Sequence, residues 1–160
     1  MTDTSSAEAL RQAQICAELD DEERETLAAR MGREHLEDRA LLVREGEERR
    51  TLFVLVKGQI DVSKSVGPHE ETVYRMHPGE AAGTRAFLDG SPRKAALRAY
   101  GDTEVLTMEP DAFEALVESH PWLVYKVMRG IFRVTHGNLM RMNLESAELR
   151  NYMLRTGGLY

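Results

Sequence analysis

Apolar residues change their spacing twice along this chain, from helical to alternating near Leu36 and back to helical after Met108. The first helical stretch, Ala7 to Leu19, carries Leu10, Ile15 and Cys16 at its apolar positions, after a small, polar and frayed start from Met1 to Ser6. Asp20 then opens a second helix. It stands three residues before Glu23 and leads an acidic first turn, which suits the positive end of a helix dipole. Leu27, Ala28 and Met31 supply that helix with its apolar face.

The middle of the chain reads as short strands. Leu41 to Arg44 is ended by Glu45-Gly46, and Thr51 to Lys57 is apolar on both faces and stops at Gly58. Ile60 and Val62 alternate with Asp61 and Ser63 up to a turn at Gly67-Pro68, and Thr72 to Met76 returns. Ala95 to Tyr100 and Thr103 to Met108 follow, separated by Gly101-Asp102. Many short strands between turn signals predict a β-barrel or double-sheet roll.

Helical spacing resumes at Pro110-Asp111, with a short helix through Ser119. His120-Pro121 then begins a long helix running to about Arg155, with Gly157-Gly158 as its stop. Tyr125, Met128, Phe132, Thr135, Leu139, Met142, Ser146, Leu149 and Met153 recur at alternating spacings of three and four, the seam of a two-helix coiled coil. The expected architecture is therefore α+β: a jelly-roll β-barrel (double-stranded β-helix) flanked by N-terminal helices and a long C-terminal helix. It divides into an N-terminal helical segment (1–19), the roll with flanking helices (20–120) and a dimerisation helix (121–160).

Composition narrows the function. With 160 residues, 42% hydrophobic and 30% charged, the chain suits one ordinary soluble core. A net charge of −6 argues against a broad nucleic-acid surface. No charged-then-apolar leader follows Met1, and no apolar run approaches the roughly 20 residues that span a bilayer. A cytoplasmic protein with neither DNA nor membrane as partner is expected. The five histidines include no His-x-His pair, and Cys16 has no Cys or His neighbour, so neither a cupin-type metal site nor an iron–sulfur centre is expected. No nucleophile–base pair stands out, and no enzymatic activity is expected.

The chemistry concentrates between Pro78 and Ala99, in PGEAAGTRAFLDGSPRKAALRA. Small residues with exposed backbone N–H groups, closed by one arginine, suit a compact phosphate. Arg93 offers a planar fork of donors for two phosphate oxygens, and Gly79 and Gly83 allow close backbone approach.

This stretch resembles the phosphate-binding cassette of the cyclic nucleotide-binding domain family, which includes the catabolite activator protein and protein kinase A regulatory subunits. LLVREGEERRTLFVLVKGQIDV resembles the family's opening strands, and EVLTMEPDAFEALVESHPWL its last strand and following helices. The resemblance spans roughly Leu19 to Asn143. It implies that Arg93 holds the cyclic phosphate, that Gly83 is the cassette glycine, that Ala95 is the small residue after the arginine, and that Asn138 turns toward the base. Thr84 stands where the family has a glutamate that accepts from the ribose 2′-OH, and Ala82 where it has an aromatic. Exchanging a charged acceptor for a neutral one implies an affinity loss of about tenfold.

The expected binding residues are thus Gly83, Thr84, Arg85, Arg93, Lys94 (through its N–H) and Asn138, with Glu80 or Asp89 as substitutes for the missing carboxylate. Simpler roles stand beside these: Thr84 capping the short helix, Arg85 and Lys94 solvated, Asn138 flanking the seam. The implied function is a dimeric, non-enzymatic sensor of cAMP or cGMP that signals through a partner protein and carries no other cofactor. The alternative is a degenerate domain that binds no cyclic nucleotide and serves as a dimeric scaffold.

Overall fold

The computed structural model describes residues 5–156; the Met1–Thr4 start and the Gly157-Gly158 stop lie outside them. Six strands form one antiparallel sheet: β1 (Gly32–Leu36), β2 (Leu41–Val43), β3 (Leu52–Val66), β4 (His69–Met76), β5 (Ala81–Ala82) and β6 (Ala96–Met108). The main path is β1-β6-β3-β4, with β2 also on β6 and β5 also on β3. This is the expected jelly-roll fold with flanking helices, and its sheet is not closed into a barrel.

The two long strands explain how so few elements make a roll. Thr51 to Lys57 does not stop at Gly58: β3 continues to Val66, and its pairing with β6 shifts register between Leu55 and Lys57 and again between Lys57 and Gln59. Likewise Ala95–Tyr100 and Thr103–Met108 belong to one strand, β6, that runs through Gly101. Register shifts bend a strand, so each long strand serves both halves of the roll. Alternation then sends Leu52 and Val54 into a core shared with the helices, while Phe53 and Leu55 enter the roll interior with Leu42, Val43, Ile60, Met76, Leu97 and Val105.

At the N-terminus the expected Ala7–Leu19 helix is broken. A short α1 (Ser6–Ala9), capped by Ser5, gives way to two 3-10 turns, Leu10–Gln12 and Gln14–Cys16, on either side of an extended Ala13. The break lets Gln14 donate to the Gly79 carbonyl at 2.9 Å and buries Leu10, Ala13, Ile15, Cys16 and Leu19 together, a set that no single helix face holds. In contrast α2 (Asp21–Ala28) starts as expected: Asp20 accepts from the Glu23 N–H at 2.8 Å, and Glu23 accepts from the Asp20 N–H at 3.0 Å.

After α3 (Thr84–Asp89) and β6, the short helix expected from Pro110 to Ser119 is two, α4 (Pro110–Glu114) and α5 (Leu116–Ser119). The long α6 (Pro121–Thr156) buries Leu123, Val127 and Ile131. Its 36 residues imply a rod of about 54 Å. Lys126 pairs with Glu23 at 2.9 Å, Arg133 pairs with Glu18 at 2.7 Å, and Arg129 joins Glu18 as well. Those two guanidinium groups hold the Glu18 carboxyl at about 2. No helix among the described residues is long and apolar enough to cross a membrane.

Candidate functional site

The stretch from Glu80 to Arg93 is pinned at both ends by main-chain bonds. Leu55 N–H donates to the Glu80 carbonyl (3.0 Å), the Gly46 N–H to the Arg93 carbonyl (2.7 Å), and the Arg93 N–H to the Glu47 carbonyl (2.9 Å). Between them β5 pairs Ala82 with Phe53, and α3 leans on the helical core through Phe87, whose ring lies 5.4 Å from that of Phe113. Arg50 closes the other end of α3, donating to the Ala86 and Phe87 carbonyls at 3.3 and 3.2 Å.

Arg93 is the centre of this assembly. Its side chain is folded inward, only 6% exposed, with the guanidinium 5.3 Å from the Phe53 ring centre. Nε donates to the Arg49 carbonyl at 2.8 Å and Nη2 to the Thr51 carbonyl, while Nη1 is buried with no hydrogen-bond partner among the described residues. Burial and the nearby Arg49 cation both lower its pKa, against weaker opposite pulls from Glu47 and Glu109. A buried cation without a carboxylate in contact, carrying a spare N–H donor, is costly until an anion completes it.

Gly83 makes this packing possible. It has φ +86°, and a Cβ there would overlap the guanidinium, lying 2.9 Å from Arg93 Cζ and 3.0 Å from the Thr51 oxygen. Only glycine meets both demands, the left-handed backbone and the missing side chain.

The structure therefore brings Gly83 and Arg93 together, whereas the remaining expected residues stand apart. Gly83, not Thr84, is the N-cap of α3, and no side chain caps that end; Thr84 lies one residue inside the helix. The capping role expected for Thr84 is corrected, because left-handed Gly83 takes the cap position under the guanidinium. Arg85 is exposed and faces Asp89 at 3.6 Å, and the Lys94 side chain is exposed. Asn138 lies on an exposed part of α6 and accepts from Arg141 at 3.3 Å. Glu80 accepts from the Tyr74 hydroxyl and, at 2.6 Å, from the His77 N–H; Asp89 accepts from Ser91. Neither carboxylate bonds Arg93.

Sequence reasoning missed the polar network around this pair. Arg49 lies 5.0 Å from the Phe53 ring centre and donates to Glu34 at 2.6 Å and to the Thr51 hydroxyl at 3.2 Å. Thr51 in turn donates to Glu109 at 2.6 Å. In the sequence, Glu47-Glu48-Arg49-Arg50 has the look of a solvated loop; only the antiparallel pairing of β3 with β6 brings Thr51 beside Glu109.

Comparison with known proteins follows this geometry. The cyclic nucleotide-binding domain family matches residues 33–120, more than half of the chain. A Mycobacterium tuberculosis protein described as an uncharacterized NTE family protein is 28% identical over 131 residues, which are 82% of this chain and 22% of that protein. A cAMP-dependent protein kinase regulatory subunit from Dictyostelium discoideum is 26% identical over 113 residues, 68% of this chain and 35% of the relative. The chain thus spans about a fifth to a third of the length of these curated relatives. Among solved structures, the Thermus thermophilus catabolite activator protein superposes with a TM-score of 0.76 at 22% identity, covering 86% of this chain and 63% of that one. Taken with the roll and its glycine–arginine pair, these matches establish that the chain belongs to the cyclic nucleotide-binding domain family.

Proposed function

We propose that the chain is a non-enzymatic, cytoplasmic regulatory module that binds cAMP or cGMP through Arg93 and the backbone around Gly83, and signals through a partner protein. The observation that carries this reading is the unpartnered Nη1 of Arg93, a buried donor on a buried cation with no ion-pair partner among the described residues. The Dictyostelium relative, a cAMP-dependent protein kinase regulatory subunit, supports the class of ligand. Thr84, Arg85 and the Lys94 N–H lie within two residues of Gly83 or Arg93 in the chain and are proposed to line the phosphate, with Asn138 approaching the base from α6. Titrating the nucleotide-stripped chain with cAMP and with cGMP by calorimetry tests this. Saturable heat at one site per chain is expected with at least one nucleotide; no heat with either overturns the reading.

A second reading rests on the other two donors of the same guanidinium. Nε and Nη2 of Arg93 already hold the Arg49 and Thr51 carbonyls, so Arg93 also fits a structural staple in a domain that binds no nucleotide and acts as a dimeric scaffold.

Both readings include a homodimer through α6. Tyr125, Phe132, Leu139, Met142, Leu149 and Met153 are half or more exposed, while Met128 packs partly against the helical core. In a parallel pair Glu145 flanks the seam five residues before Arg150, the spacing at which one helix's acid meets its partner's base. Leu139→Lys together with Leu149→Lys puts two like charges in each seam and should convert the dimer to a monomer in sedimentation velocity. A monomeric parent chain, or a dimer that survives both changes, removes the seam.

A further inference from the structure

Three consecutive residues, Arg49, Arg50 and Thr51, touch both halves of the site from the end of the link between β2 and β3. The two carbonyls that accept from Arg93 are those on either side of Arg50: Arg49 takes the Nε proton and Thr51 a proton of Nη2. The Arg50 side chain reaches α3 instead. It donates from Nε to the Ala86 carbonyl at 3.3 Å and from Nη2 to the Phe87 carbonyl at 3.2 Å. Its guanidinium lies over Gly90, where an added Cβ would stand 3.4 Å from Nε and 3.6 Å from Cζ.

Both neighbours of Arg50 are anchored. Arg49 donates to Glu34 at 2.6 Å and to the Leu42 carbonyl at 3.3 Å. Thr51 is 1% exposed, and its hydroxyl donates to Glu109 at 2.6 Å. The backbone of Arg50 is therefore held between two fixed points, and its side chain is a strut from that backbone to α3.

Such a strut matters because α3 has six residues, too few for a helix to hold its shape in water by itself. At its start left-handed Gly83 packs under the Arg93 guanidinium, and in the middle Phe87 is buried in the helical core. At its end the chain turns through left-handed Gly90, and the last carbonyls accept from Arg50, a cation at the negative end of the helix. Arg50 itself is exposed, so its two bonds orient a surface helix more than they stabilise the core. One short segment thus grips Arg93 with its carbonyls and α3 with its side chain, and so sets the two against each other.

Resting on the nucleotide reading above, we infer that Arg50 is a positioning residue for the bound nucleotide: it fixes α3 relative to Arg93, so that the backbone around Gly83 and the unspent Nη1 meet the same phosphate. Arg50 acts through α3 and does not touch the ligand.

The test uses the full chain, with cAMP and cGMP as probes. Arg50→Met keeps much of the side-chain length and loses every donor. It should weaken whichever nucleotide binds by roughly tenfold and shift the phosphorus NMR resonance of the bound nucleotide. In the nucleotide-free variant the amides of α3 should exchange faster, while the melting temperature stays within about 3 °C of the parent. Arg50→Lys keeps the cation and its donors; it should bind within about threefold of the parent and restore the resonance. If Arg50→Met binds within twofold of the parent while an Arg93 variant does not bind, the positioning role is wrong and the nucleotide reading stands. Unchanged exchange of α3 in the nucleotide-free Arg50→Met chain, or equal losses in the methionine and lysine variants with an unmoved resonance, also overturns the role. If the parent binds neither nucleotide, the nucleotide reading fails and the positioning role falls with it.

Discussion

Replacing Arg93 with methionine should abolish cyclic nucleotide binding and leave the roll folded. Methionine fills much of the same space over Phe53 but removes the charge and every N–H. A hydrogen bond to a charged group is worth about 1.5–3 kcal/mol, so losing the charge together with both N–H groups of the unspent Nη1 costs roughly a hundredfold or more in affinity. The effect on the unliganded protein is a contest between opposing contributions. The Arg49 and Thr51 carbonyls lose their donors, at about 1–3 kcal/mol each where they are buried. Against this, the variant no longer buries an unpaired guanidinium, and replacing a buried charge by an apolar chain of similar volume is often neutral or stabilising. A small change in melting temperature is therefore expected together with complete loss of binding. Arg93→Lys keeps the charge as a point, without the fork, and should bind at least about tenfold more weakly than the parent. Nucleotide binding by Arg93→Met within twofold of the parent would sink the assigned role. A parent chain that binds nothing, with a steep loss of stability in the variant, would instead identify the staple of a scaffold.

The second large effect is expected at Gly130, where α6 crosses the N-terminal segment. A Cβ at this position would overlap the Ile15 carbonyl oxygen and lie 2.9 Å from its carbon and 3.1 Å from the Ile15 Cα. Those are backbone atoms of a turn fixed by the burial of Ile15 and Cys16, so no side chain can swing away. Intrinsic helix propensity favours alanine over glycine by about 1 kcal/mol and would stabilise the variant if space allowed. Overpacking opposes it at about 1–3 kcal/mol or more, and the rigid neighbour decides for destabilisation. Gly130→Ala should lower the melting temperature by roughly 2–10 °C and raise hydrogen exchange where α6 meets the Gln14–Cys16 turn. An unchanged or higher melting temperature would show that α6 does not sit this close.

The neighbouring ion pairs add an acid limit to the same junction. Glu18 has a folded value of about 2 against an ordinary 4.5. A depressed carboxylate contributes fully above its ordinary pKa, and that contribution fades as pH falls through the window toward the folded value. Arg129 and Arg133 thus add to the hold of α6 on the N-terminal segment at neutral pH, and that addition is lost in acid while the buried Leu123, Val127 and Ile131 keep the helix docked.

Much of this molecule is legible in its residues. The Asp20–Glu23 capping box, the turn at Gly67-Pro68 and the start of the long helix at Pro121 are local events, decided by side chains bonding or constraining nearby backbone. The alternating strands and the cassette with Gly83 and Arg93 are visible for a related reason: a two-residue period and a glycine–arginine spacing survive in one dimension. The strand β1 was not visible. Its GREHL sequence has no alternation of apolar and polar residues, and it is a strand because its backbone pairs with β6 from Gly32–Thr107 to Leu36–Thr103.

The sequence alone therefore determined the roll, its flanking helices and the identity of the glycine and arginine at its centre. Only the tertiary structure decided that the N-terminal helix breaks at Ala13, because burying Leu10, Ile15 and Leu19 together outweighs the propensity of one continuous helix. It alone decided that Gly83 and not Thr84 caps α3, and that Arg93 turns inward over Phe53 and leaves one donor unspent. These outcomes depend on which backbones approach one another across the fold, and no local spacing encodes a distance between residues forty positions apart.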